Sequence, residues 1–336
     1  MTDRTLLTNR HALDAAGSVE LAVLSRSGFD ESRHLGAAVV VGPDGAVLRS
    51  LGDAAASIYP RSCLKPFQAL TVLRSGVELD GPQAVLSTAS HAGTPAHVDV
   101  VRSMLTRIDA IEENLLCPAD WPGDRASARV ATAPSRLFMN CSGKHAGFLL
   151  ACAHNGWDPK HYDDIDHPLQ EAARSTVAEF TGEAIDHAGV DGCGAPVFAV
   201  TLEGLARGIA RLTGSVSTGA DPRAAHLVSA VLQDPWALDG PGRANTVTIE
   251  ELGVFAKLGA EGVMVMGTTE GTAVALKVLD GNLRAGTLAA LHLLVDAGVV
   301  DADAANRVLE ATTEKVLGGG VVVGELRAGA GLTDAA

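Results

Sequence analysis

The sequence predicts an α/β protein of the α+β type, in which an antiparallel sheet built from the N- and C-terminal segments is flanked by helices and carries an inserted, mostly helical lobe. Three observations predict it. β-rich runs occur at residues 20–24, 37–41 and 46–51 and again at 262–266 and 272–279, whereas the stretch between them places apolar residues at helical spacing. Aromatic residues are 4% of a chain that is 47% hydrophobic, so its core must be built from Ala, Val and Leu at close spacing, which suits helix-on-sheet layers. A length of 336 residues is ample for a large core in one or two domains. Residues 1–65 with 236–336 are expected to form the sheet-containing lobe and 66–235 the helical lobe, with the active site between them.

The elements follow in order. Residues 1–17 read as a polar lead-in. The first strands are separated by a charged stretch at 26–34, read as a solvated loop, and by the turn-forming Gly42-Pro43-Asp44-Gly45. Pro60 and Ser62 open a helix to about residue 74, with Leu64, Phe67, Leu70 and Leu73 along one face. Helices at 81–89 and 96–108 are interrupted by Ser90-His91-Ala92-Gly93-Thr94-Pro95. Residues 117–134 hold Pro118, Pro122 and Pro134 and read as a surface loop or lid. The polar segment 139–147 leads into an apolar helix to about 154, followed by a helix at 167–180 and a glycine-rich segment at 186–196. Helices are then expected at 197–212 and 224–232, a hairpin-like pair of β runs closing at Asp280-Gly281, and final helices at 285–297 and 302–317.

A formal charge of −14 without a Lys/Arg cluster argues against nucleic acid or an anionic membrane as the main partner and favours a small molecule. The start is polar and charged through Arg10 and no apolar run reaches spanning length, so neither signal peptide nor membrane helix is expected and a cytoplasmic location is. Five cysteines are too sparse for a disulfide framework; they are thiols or ligands.

Chemistry concentrates at Arg61-Ser62-Cys63-Leu64-Lys65, which sets a hydroxyl and an amine three residues apart at a helix start. Positions i and i+3 share a helix face, so Lys65 is placed to act as base for Ser62, and the unpaired N–H groups of the first turn form half of an oxyanion hole. The competing reading is a capping serine and a solvated lysine. Cys141, Lys144 and His145 lie at i, i+3 and i+4, with Cys193 supplied by the glycine-rich segment; a metal site and a cluster of buried thiols both fit that spacing. His145 is a candidate contact for metal or substrate. Cys63, Cys117 and Cys152 carry no motif and read as packing residues.

Five segments in order, Arg61-Ser62-x-x-Lys65-Pro66, Ala89-Ser90-His91-x-Gly93, Asn140-Cys141-Ser142-Gly143-Lys144-His145, Asp191-Gly192-Cys193-Gly194 and Ala256-Lys257-x-Gly259-Ala260-Glu261-Gly262, resemble the asparaginase II family, the rhizobial-type or class 3 L-asparaginases. The resemblance spans roughly residues 19–282 and implies a fold similar to serine β-lactamases and glutaminases. It implies that Ser62 and Lys65 are catalytic, with a second pair in Ser90 and Lys257, for which Lys277 is the competing lysine. It also implies one zinc ion held by Cys141, Lys144 and Cys193, with Asp191 facing the substrate α-amino group. Arg61 and, more weakly, Arg26 are candidates for the α-carboxylate, since a guanidinium is a planar fork. His91, Glu31, Ser32 and His34 are further candidates for the cleft.

The implied reaction is hydrolysis of L-asparagine to L-aspartate and ammonia through an acyl-serine, in a homodimer. A solvated lysine, with pKa ~10.4, is too protonated to serve as base, so two lysines must converge and depress one another. The tetrahedral oxyanion would sit between the Ser62 N–H and that of Ala260. A glutaminase, a β-lactam-reactive Ser-x-x-Lys hydrolase and a non-catalytic zinc- or amino-acid-binding protein are the alternatives. The chain departs from the family in Ala92-Gly93-Thr94-Pro95, where a more polar stretch is expected.

Overall fold

The computed structural model describes residues 11–333. Strands β1 (Val19–Arg26) and β2 (Phe29–Val41) form a hairpin turned by Ser27 and Gly28 alone, both at positive φ, the geometry that matches strand twist. The loop expected at 26–34 is therefore mostly ladder, and its charges decorate the exposed half of β2. The other half, Ala37 to Val41, is buried and pairs with β3 (Val47–Leu51) on one side. Gly36 marks the change of partner, because a Cβ there would stand 2.2 Å from the Lys277 carbonyl oxygen.

Helices α1 (Lys65–Arg74), α2 (Gly81–Thr88), α3 (Pro95–Thr106), α4 (Arg125–Val130), α5 (Ser142–Asn155) and α6 (Pro168–Thr181) follow, with one two-residue strand, β4 (Ser57–Ile58), before them. Next, β5 (Ala188–Val190) pairs with β6 (Pro196–Phe198), and β7 (Val200–Thr201) returns to β4. The helix expected from residue 197 starts only at α7 (Leu202–Thr218), where the Thr201 side chain accepts the Gly204 N–H as an N-cap; Pro196 to Thr201 is extended instead. Helix α8 (Pro222–Gln233) was expected, whereas α9 (Ala244–Leu252) has no clear apolar stripe and went unread.

Strands β8 (Phe255–Gly259), β9 (Val263–Gly267) and β10 (Ala273–Val278) form a meander that joins β2 through β10. Helices α10 (Gly286–Asp296) and α11 (Ala302–Thr312) come next. The last helix stops at Thr312 rather than 317, since the glycine turn Gly319-Gly320, with both φ positive, folds β11 (Val316–Gly318) onto β12 (Val321–Ala328). A final turn of helix is α12 (Ala330–Thr333). The resulting antiparallel sheet runs β11-β12-β1-β2-β10-β9-β8, with β3 beside β2, so N- and C-terminal segments do share one sheet.

Helices cover both faces. Gly267 of β9 meets Thr213 and Ile209 of α7, while Met264 meets Gly286 of α10, and residues three apart on a strand face opposite ways. Helix α7 also packs on α6 and α8, and α1 on α2, α5 and α6, forming the helical side of the molecule. Among the described residues no helix is long and apolar enough to cross a membrane.

Candidate active site

A 3₁₀ turn at Arg61–Leu64 carries Ser62 and runs directly into α1, whose second residue, Pro66, lacks only an N–H that a helix start leaves free. The turn lies against the edge strand β8. Gly259 makes this approach possible: a Cβ there would be 2.7 Å from the Pro60 carbonyl oxygen and 3.1 Å from Cys63 Sγ. Cys63, pushed up to about 12 by burial, stays a thiol and donates to the Lys257 carbonyl at 3.2 Å, tying turn to strand. Arg61, just before Ser62, sits at φ +52°, a strained position for a residue with a side chain.

Three residues from separate elements meet beside this turn. Lys65 Nζ, on α1, donates to the Ala89 carbonyl at 2.6 Å and lies 2.9 Å from Ser90 Oγ; Lys257 Nζ, on β8, lies 2.8 Å from the same oxygen and donates to the Leu258 carbonyl at 2.9 Å. Both lysines are fully buried. Ser90 follows the end of α2 in an extended segment, clamped by Ser90 N–H to Leu238 O and Ala92 N–H to Asp239 O. Two ammonium groups cannot accept a proton, so the Ser90 O–H has an acceptor here only if one amine is neutral. Lys257 is that amine: burial, reinforced by the charge of Lys65, lowers it to about 7.

The direct Ser62–Lys65 hydrogen bond expected from the i, i+3 spacing is absent, because the lysine amine is taken up by Ala89 and Ser90; Ser62 Oγ, partly exposed, has no hydrogen-bond partner among the described residues. The competing lysine, Lys277, turns instead to the Glu261 and Val278 carbonyls, both at 2.6 Å, and does not join the group.

A second buried cluster forms at the head of α5. Gly143 lets α5 close onto α2, since a Cβ would stand 2.3 Å from the Leu86 carbonyl oxygen. Lys144 Nζ donates to Cys193 Sγ at 3.0 Å, and the Cys141 and Cys193 thiols interact. The neighbouring Cys141 thiol, with help from Lys144, holds Cys193 far below the usual thiol range, and Cys141 rises beside Cys193 and through burial, while its Sγ donates to Asn140 Oδ1 at 2.9 Å. Among the described residues no three His, Cys, Asp or Glu are grouped to hold a metal, so any site here needs the lysine amine as its third donor. Two buried sulfurs and one amine are a donor set that suits zinc, and His145 Nε2, buried nearby, has no hydrogen-bond partner.

The proposed substrate contacts are placed unevenly. Arg61 Nε donates to Asp191 Oδ1 at 2.7 Å, so these two groups, expected to hold opposite ends of a substrate, hold each other. His91 is buried with both ring nitrogens engaged, Nε2 at 2.8 Å from Ser142 Oγ and Nδ1 accepting the Gly93 N–H at 3.1 Å, which leaves neither for a ligand. His145 is likewise buried, its Nδ1 2.8 Å from the Tyr162 hydroxyl. Arg26, Glu31 and Ser32 line a different cavity of about 440 Å³ with Arg284 and Glu314, and His34 pairs with Asp280. They are not part of this site.

Sequence reasoning missed three participants. Asn245 Nδ2 donates to Asp239 while its Oδ1 accepts the Leu258 N–H at 3.0 Å, bracing β8 next to Lys257. No local signal marks either residue. Tyr162 was detectable, as one of only two tyrosines in the chain.

A family model described as L-asparaginase II matches residues 22–328. Comparison with curated proteins returned no match. Among solved structures, the chain is similar to the protein described as Mglu in its glutamate form, with TM-score 0.43 and 14% identity over 79% of this chain and 61% of that one. It is similar to a β-lactamase from Mycobacterium bovis, with TM-score 0.38 and 16% identity over 82% of this chain and 95% of the other. It is also similar to a Bacillus glutaminase in the presence of 4.3 M NaCl, with TM-score 0.35 and 13% identity over 79% and 91%. The chain thus spans 61% of the length of Mglu.

Proposed function

Because the chain belongs to the L-asparaginase II family, whose members are amide hydrolases, we propose that it cleaves the side-chain amide of L-asparagine to L-aspartate and ammonia through an acyl intermediate on Ser62. One observation carries the reading: a serine hydroxyl, Ser90, bridges two buried lysine amines, one of them, Lys257, lowered to about 7, and the other, Lys65, standing three residues along the chain from Ser62, whose hydroxyl has no hydrogen-bond partner among the described residues.

In this reading Ser62 Oγ attacks the amide carbon and its proton passes to the amine system that Ser90 links. The collapsing tetrahedral adduct expels nitrogen, which takes a proton from Ser90, resupplied by Lys65 or Lys257, and leaves as ammonia. Water then adds to the acyl carbon and gives up its proton to the same amines; the bond from the acyl carbon to Ser62 Oγ breaks, Ser62 takes that proton back, and L-aspartate leaves. The N–H groups of Ser62 and Ala260 serve the oxyanion. Arg61 and Asp191 must exchange their mutual bond for the substrate carboxylate and ammonium. Cys141, Lys144 and Cys193 would hold zinc, which supplies charge to orient the substrate. A cytoplasmic homodimer belongs to the same reading.

The test is ammonia release together with mass spectrometry of acid-quenched enzyme during turnover. Ser62→Ala is expected to cut turnover by at least about 10⁴-fold. The acyl group should map to the peptide carrying Ser62. Its appearance on Ser90, the hydroxyl that actually holds both lysines, would reverse the two serine roles. Asparagine and glutamine differ by one methylene, worth about 10–200-fold in a fitted pocket, so their kcat/KM ratio decides between asparaginase and glutaminase.

A further inference from the structure

Strand β8 ends the sheet, so one side of it has no neighbouring strand to pair with. In a strand the N–H and C=O of one residue point the same way, and both edge groups of Leu258 are taken up from outside the sheet. Its carbonyl accepts Lys257 Nζ at 2.9 Å, and its N–H donates to Asn245 Oδ1 at 3.0 Å. Asn245, the second residue of α9, is buried, and its Nδ2 donates to Asp239 Oδ2 at 3.0 Å; Arg243 Nε donates to the other oxygen of that carboxylate at 2.6 Å. The amide has a single orientation that suits both neighbours. Turned over, it would face the Leu258 N–H with a donor and the carboxylate with an acceptor. The stretch around Asp239 also holds the segment that carries Ser90, through Ser90 N–H to the Leu238 carbonyl at 3.0 Å and Ala92 N–H to the Asp239 carbonyl at 2.8 Å.

We propose that Asn245, clamped by Asp239, is a positioning residue for the proposed hydrolysis: it joins the segment that carries Ser90 to the strand that carries Lys257, and so holds the lysine amine within reach of the serine oxygen. The two reacting residues are 167 positions apart, and their side chains meet at 2.8 Å. Asn245 makes no hydrogen bond to either side chain among the described residues, so its effect runs through the backbone at 238–239 and at 258. The joint has a polarity. A carboxylate must face a carboxamide, with Arg243 on the carboxylate side and the Leu258 N–H on the other. Two facing carboxylates break the match, but exchanging the two residues keeps it. In the exchanged pair the carboxylate, now on α9, accepts the Leu258 N–H with one oxygen and the amide at 239 with the other, and the amide oxygen at 239 still accepts from Arg243. The kinetic role rests on the asparaginase reading; the joint between the two segments does not.

The experiment compares Asn245→Leu, Asn245→Asp and the double exchange Asn245→Asp with Asp239→Asn, each in the full-length protein. Asn245→Leu and Asn245→Asp should lower kcat for amide hydrolysis by on the order of 10²-fold with KM little changed, as for a misplaced group that does not touch substrate. The double exchange should recover most of that loss. In a Lys257→Met background, Asn245→Leu should cost little more, because an effect that runs through the lysine cannot be lost twice. A double exchange as impaired as Asn245→Asp, a loss carried by KM, or full additivity with Lys257→Met would each overturn the proposal. Hydrogen exchange of the Leu258 amide, followed by NMR, tests the joint without turnover. The amide should be protected in the wild type and in the double exchange and should exchange faster in Asn245→Leu; equal rates in all three would remove the joint. If the wild type hydrolyses no amide, the asparaginase reading fails on that result alone, and the exchange rates still decide whether Asn245 joins the two segments.

Discussion

Lys257 and Lys144 are both fully buried lysines, and they are driven in opposite directions. Burial lowers both. At Lys257 the nearest strong charge is another cation, Lys65, and the two effects add to bring it to about 7. At Lys144 burial is outweighed by the charge and hydrogen bond of Cys193 and by Cys141, and the amine rises above its ordinary value. The neighbour's sign, not depth, decides whether a buried lysine is a proton carrier or a fixed cation. One cluster is thereby suited to moving protons, the other to holding a charge pair or, with the lysine deprotonated, a metal.

The largest expected effect removes the proton carrier. Lys257→Met should lower kcat/KM for amide hydrolysis by about 10²–10⁴-fold, whereas the wild type should gain activity as pH rises through about 7. The groups facing Lys257 are Lys65 on α1, Cys63 on the 3₁₀ turn, Asp239 before α9 and Cys141 at the head of α5, of which Lys65 is the one that depresses it. A flat profile from pH 5.5 to 8.5 would remove Lys257 from the proton path.

An intermediate effect lies at the other cluster. Metal analysis of the purified protein should find one zinc per chain, lost in Cys193→Ala, with KM for the amide rising more than kcat falls, as for a group that orients substrate. Wild-type protein that takes up no zinc on dialysis against it would leave Lys144 and Cys193 as a plain ion pair.

The smallest effect is on stability. Unfolded, Lys257 keeps its proton to about pH 10.4; folded, it releases it near 7, so between these values the unfolded state binds more protons and stability rises with pH. Below pH 7 the full cost of burying the charge remains. Lys257→Met should therefore be more favourable relative to wild type at pH 6 than at pH 10, by on the order of 4 kcal/mol in urea unfolding. An equal difference at both pH values would show that the lysine is not perturbed.

Much was readable along the chain because its signals are local. The helix start at Ser62, the interruption at Ser90 and the apolar helix after Cys141 are set by prolines, glycines and 3.6-residue spacing within a dozen positions. Where the reading failed, long-range pairing won. The 26–34 segment is polar enough for a loop but is held as strand by β1, and 316–328 becomes two strands because β1 offers an open edge to β12.

The sequence by itself determined which reactive groups the protein owns, and the order of elements that carry them: two serines, three lysines, two cysteines, each in a short polar segment beside a helix or strand. Only the tertiary structure decided their partners. Lys65 reaches across 25 positions to Ser90 rather than three to Ser62, and Arg61 takes Asp191. Pairing of this kind is chosen by which side chains burial leaves without water, and that depends on how α1, α2, α5 and β8 close on one another, a property of packed elements that no stretch of chain encodes alone.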